Sequence, residues 1–136
     1  MYFGTVHAYV KSTESCSKFA KLLEDAGSEI LPKFGGSKTL FLPNNSAFEK
    51  LTDLDLQALE LFPNKFVGSL LYKGDLCTAG MFHIKDFNTI DSTWSVTLSS
   101  EDELIIGDGA RFLESDILCS DGVVHVMDTV LLDTVT

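Results

Sequence analysis

Three histidines, three cysteines and one run of acids are the places where this sequence could do chemistry. His7, His83 and His125 are far apart, and none is placed at a metal-ligand spacing from another. His125 sits in GVVHVMD, among apolar residues. That context points to a core histidine bonded to neighbouring backbone, not to a metal ligand or general base. Cys16, Cys77 and Cys119 form no CxxC pair, which argues against zinc and thioredoxin-like chemistry. They read as buried small hydrophobes, with one disulfide between two of them as the alternative. Glu101-Asp102-Glu103 lacks the calcium-loop pattern and reads as a solvated loop. There is no G-x-S-x-G elbow, Walker loop, dinucleotide fingerprint or H-E-x-x-H. No nucleophile–base pair can be named, so the expectation is a non-enzyme with no metal and no cofactor.

Composition narrows the partners. The 136 residues suit one domain, with a core over about residues 5–132, and 45% hydrophobic content suits a packed interior. Ten basic and twenty acidic side chains give a net charge of −10. Nucleic acid, heparin-like polymers and anionic lipid surfaces are therefore poor partners. No apolar run is long enough for a transmembrane helix. The start, MYFGTVHAYVKSTES, lacks the pattern of a signal peptide, so either synthesis is cytosolic or a leader has been removed.

The elements that must position these residues change character along the chain. Residues 5–10 and 14–26 have helical periodicity; Cys16, Phe19, Leu22, Leu23 and Ala26 make one stripe that Gly27 would end. Residues 39–42 read as a short buried strand, stopped by Pro43 and followed by a helix that Asn44 or Asn45 caps. Asp53 would cap a helix over 54–62 that Pro63 closes, and Asn64 another over 65–72. After that, strands dominate. Trp94, Val96 and Leu98 alternate with hydroxyl residues, and two hairpins turn at Asp108-Gly109 and Asp121-Gly122. Helices first and strands afterwards predict an α+β fold with antiparallel sheets.

Two segments carry a resemblance. TLFLPNNSAFEKL, residues 39–51, is similar to the first signature of the fasciclin domain, usually Thr-x-Phe-Ala-Pro-Thr-Asn/Asp-x-Ala-Phe. DILCSDGVVHVMDTVLL, residues 116–132, is similar to its second, usually Asp-Ile-x-x-x-Asn-Gly-x-Ile-His-x-Ile-Asp-x-Val-Leu. The resemblance implies a wedge of two antiparallel β-sheets with short helices packed along it. It also implies an adhesion module, often one of several tandem copies, that is secreted, on the cell surface or periplasmic. Its partner would be a protein receptor, a matrix component or another copy of itself.

In some family members an Asp-Ile dipeptide at this place is an integrin-binding motif. Here Glu114-Ser115-Asp116-Ile117 stands there, which makes Glu114, Asp116 and Ile117 candidate binding residues. A second family motif centres on a Tyr-His pair; this chain has Tyr72 followed by Lys73, so Tyr72 is carried over alone. Asn44-Asn45-Ser46 is a formal glycosylation sequon at Asn44. The alternative function is a small-molecule-binding domain, with an apolar pocket between helices and sheets lined by Trp94, Met81 and Phe82.

Overall fold

The computed structural model describes residues 4–25, 35–107 and 109–132. Helix α1 is Val6–Ser12, a 3-10 turn follows at Glu14–Cys16, and α2 is Ser17–Asp25. Strand β1, Lys38–Pro43, leads into α3, Asn45–Glu49; α4 is Asp53–Leu61 and α5 is Pro63–Leu70. Then come β2 (Leu71–Lys73), α6 (Thr78–Met81), β3 (Asp86–Asn88) and β4 (Thr93–Leu98). The chain closes with β5 (Leu104–Ile106), β6 (Ala110–Cys119) and β7 (Gly122–Met127). The class is α+β. None of the described helices is long and apolar enough to cross a membrane.

The strands are ordered β2-β1-β7-β6-β5-β4-β3. All neighbours are antiparallel except β1 and β7, which run parallel from Lys38 opposite Gly122 to Pro43 opposite Met127. That pair corrects the expectation of purely antiparallel sheets. It is also where the two signatures meet. Every residue of β1 and of β7 is buried, as expected of strands covered on both faces.

Close approach at this seam explains Gly122. A Cβ there would lie 1.9 Å from the Lys38 carbonyl oxygen, so only glycine fits. Beside it the buried Lys38 Nζ donates to Asp121 Oδ2 at 2.8 Å, and Asp121 Oδ1 accepts the Val6 N–H at 2.7 Å. Burial works to raise the Asp121 pKa, but the bonds from Lys38 and Val6 outweigh it and hold it below the usual carboxylate value.

Aromatic rings cluster on two sides. Phe66 meets Phe19 at 6.0 Å and Phe48 at 6.5 Å, both edge-on, among the helices. Phe41 stacks on Phe87 at 5.0 Å and lies 5.4 Å from the His125 ring.

Several boundaries differ from the periodicity reading. The stretch from residue 14 is a 3-10 turn and then a helix, and its expected end at Ala26 and Gly27 lies outside the described residues, as does Asp108 of the first hairpin turn. Thr52, not Asp53, caps α4, in a capping box with Asp55. Pro63 opens α5 as its first residue instead of closing α4. That helix stops at Leu70, and Leu71 to Lys73 pair with β1 as β2. The segment between the two hairpin turns is a single strand, Ala110–Cys119, shared by both hairpins and bent by irregular register. Leu98, expected inward, is exposed at the end of β4.

Candidate functional site

Strand β6 places the Asp-Ile dipeptide. Phe112 faces Met127 and Glu114 faces Val126, so two steps along β6 match one along β7. From Glu114 to Ile117, which faces Val124, three steps along β6 match two along β7. Each extra residue is a bulge, and bulges re-aim side chains. Asp116 takes a left-handed backbone conformation, φ 55°, that an aspartate tolerates better than most residues.

The turned backbone points Asp116 two ways. Its N–H donates to His125 Nδ1 at 3.0 Å. Its carboxylate accepts the Thr78 N–H at 2.8 Å and also the Thr78 hydroxyl, so it caps the first turn of α6, where Cys77 makes no side-chain cap. Partial burial works to raise the Asp116 pKa, yet the two Thr78 bonds, with help from His125 and Cys77, hold it below the usual value. The result is an ionised carboxylate at a fixed place on the surface, with 38% of its side chain open to solvent.

His125 is fully buried and both ring nitrogens are used. With Nδ1 accepting from Asp116, Nε2 carries the proton and donates to the Leu76 carbonyl at 2.7 Å. Burial depresses its pKa more than Leu76 and Asp116 raise it, so the ring is neutral at neutral pH. A ring with both nitrogens bonded inside the core is neither a free metal ligand nor a base. No group of side chains among the described residues could hold a metal ion.

The remaining expected residues separate. Ile117 is half-buried and packs against the core, while Glu114 is exposed and accepts the Tyr9 hydroxyl at 3.4 Å. Tyr72 is half-buried on β2, edge-on to Phe87 at 5.9 Å. A row of rings, Tyr72–Phe87–Phe41–His125, links it through the core to Asp116. Asn44 is half-buried and its side-chain oxygen accepts the Ala47 N–H at 2.9 Å, capping α3.

Trp94, Met81 and Phe82 do not converge. Met81 is in the core, Trp94 is buried with its indole N–H on the Ser69 carbonyl at 2.7 Å, and Phe82 is on the surface. All three cysteines are free thiols; Cys16 and Cys119 are buried and Cys77 is half-buried.

Three further residues support the corner, and only one of them, Thr39, belongs to a motif. Thr39 Oγ1 accepts the Leu76 N–H at 2.8 Å and donates to the Gly74 carbonyl at 2.7 Å. Leu76 precedes α6 and Thr78 is its first residue, in a stretch that the sequence pattern assigns to no element. The threonine at the head of the first signature was the one readable clue.

A model of the fasciclin domain matches residues 14–133. The chain belongs to the fasciclin domain family. Human periostin is 30% identical to it over an alignment 134 residues long that covers 93% of this chain and 16% of periostin. Human stabilin-1 is 25% identical over 152 residues and mouse stabilin-2 25% over 135; each match takes in 94% of this fasciclin chain and 5% of the relative. The chain thus spans a small part of the length of these relatives. The solved FAS1 domain pair of the insect cell adhesion molecule fasciclin I shares the fold, with a TM-score of 0.78 at 17% identity, over 96% of this chain and 51% of that one.

Proposed function

We propose that this fasciclin domain is a non-catalytic adhesion module that binds a protein receptor, a matrix component or another copy of itself outside the cytoplasm, whether secreted, at a cell surface or in a periplasm. The observation that carries the reading is the Asp116 corner. Thr78 holds the ionised carboxylate and His125 the Asp116 N–H, at a bulge, beside a half-buried isoleucine and above a packed core. A pre-positioned charge on a rigid element loses little freedom on binding. Glu114 adds a second exposed carboxylate two residues away, and Tyr72 supplies an amphipathic ring elsewhere on the same fold. One such corner is a small contact. Adhesion through it calls for many copies, whose combined hold exceeds that of each.

The test is attachment. Beads carrying many copies of the chain are expected to adhere to fibroblast monolayers or to the matrix those cells deposit, and soluble monomer to bind the same surfaces only weakly. Beads that adhere to neither surface, nor to each other, would refute the reading.

A further inference from the structure

Strand β6 outruns its neighbour. The β5–β6 pairing covers Ile105 opposite Arg111 and Ile106 opposite Ala110. From Phe112 onward β6 pairs with β7, and no other strand among the described residues lies along its second edge. An unpaired strand edge is a template for another extended chain.

A groove opens at the place where β5 ends. Its walls are Thr78 and Phe82 from α6, Leu104 from β5 and Phe112 from β6, with Asp102 and Glu103 on the rim. Its volume is about 290 Å³, just below the roughly 300–1,000 Å³ range of sites that enclose a small-molecule ligand. It suits a side chain better than a cofactor. Phe82 in the lining is 51% exposed, and the next β6 residue, Leu113, is 53% exposed, so both can be reached from solvent.

Charge selects the occupant. Asp102 and Glu103 line one side, and Asp116 is bonded to Thr78 on the other. The one cation in the lining, Arg111, is paired with Glu103 at 3.0 Å. The whole chain carries −10. We infer that this groove and the adjoining edge of β6 bind an extended basic segment of the partner protein, which seats one apolar side chain between Phe82 and Phe112 and adds its backbone to β6. This rests on the interaction-module reading and names the partner's chemistry.

The test uses the isotopically labelled full chain and the peptide Lys-Val-Lys-Phe-Lys-Val-Lys, followed by amide chemical shifts. Controls are the glutamate version of the peptide and one with proline in place of valine, which cannot pair with a strand. The inference expects shifts centred on Phe82, Phe112 and Leu113 with the lysine–valine peptide alone. It expects Phe82→Ala, a change at an exposed ring, to weaken binding by about fivefold or more with the spectrum otherwise folded. Equal shifts from the glutamate peptide, shifts centred elsewhere, or none up to millimolar peptide would overturn it. Beads of the Phe82→Ala chain separate the two readings. If they adhere like wild type, the groove is excluded as the contact and the adhesion module stands.

Discussion

Thr39 and His125 hold the same residue from opposite sides. The Thr39 hydroxyl accepts the Leu76 N–H at 2.8 Å, and His125 Nε2 donates to the Leu76 carbonyl at 2.7 Å. The threonine opens the first signature and the histidine stands inside the second. Their strands are adjacent and parallel, so both side chains reach the segment that leads into α6. The signatures therefore encode a clamp on Leu76, and through Asp116 and Thr78 that clamp sets the corner proposed to bind.

Replacing Thr39 by valine keeps the shape and removes the hydroxyl. The buried Leu76 N–H then loses its acceptor, and an unsatisfied buried donor costs about 1–3 kcal/mol. Urea unfolding should show that loss. A change within the roughly ±0.5 kcal/mol of ordinary surface substitutions would mean the clamp contributes nothing.

The His125 ring makes stability depend on pH. Its pKa lies below the ordinary 6.5 in the folded chain, chiefly through burial. Between those two values the unfolded chain binds more protons, so stability falls as pH drops from 6.5 toward the folded value and is intact above it. Asp116 and Asp121, both held below 3.8, add their own loss only in stronger acid. His7 is also lowered, by burial and Lys11, and titrates in the same window, so the comparison is made in a His7→Asn background. There, His125→Gln should flatten the melting temperature between pH 7 and about pH 5. An unchanged slope would exonerate His125.

Thiol chemistry should be graded by burial. Burial pushes Cys119 up to about 11, and it raises Cys16; burial and the Asp116 carboxylate raise half-buried Cys77. A disulfide-exchange reagent should reach Cys77 first in native protein, and Cys77→Ser should abolish that early phase. All three should react after unfolding without reductant. A count of one would reveal a disulfide instead.

The fold was legible where local pattern decides it. Alternation marked β4, Asp-Gly marked the final hairpin, and Asn44 marked the start of α3. Phe48, in the helix that follows that cap, is buried edge-on to Phe66. The parallel pairing of β1 with β7 has no local mark: both strands are buried along their whole length, yet Lys38 and Thr39 in β1 and His125 in β7 interrupt the apolar runs that strands buried on both faces usually show. β2 follows α5 with no glycine or proline between, so nothing local marks the change. The site divides the same way. Asp116 and Ile117 came from the resemblance. Thr78, which holds Asp116, is 38 residues distant, and only packing brings them together. The groove under Phe82 is a product of strand lengths, which local patterns fix poorly.

One substitution tests the adhesive corner most directly. Asp116→Asn removes the charge but keeps a side-chain oxygen for Thr78, and asparagine accepts the left-handed backbone. Bead attachment is measured for both chains on the same matrix, with melting temperatures alongside. The account predicts that wild-type beads attach and that the asparagine chain loses attachment by about tenfold, while its melting temperature stays within a few degrees. Asparagine beads that attach as well as wild type, with the fold intact, would contradict it.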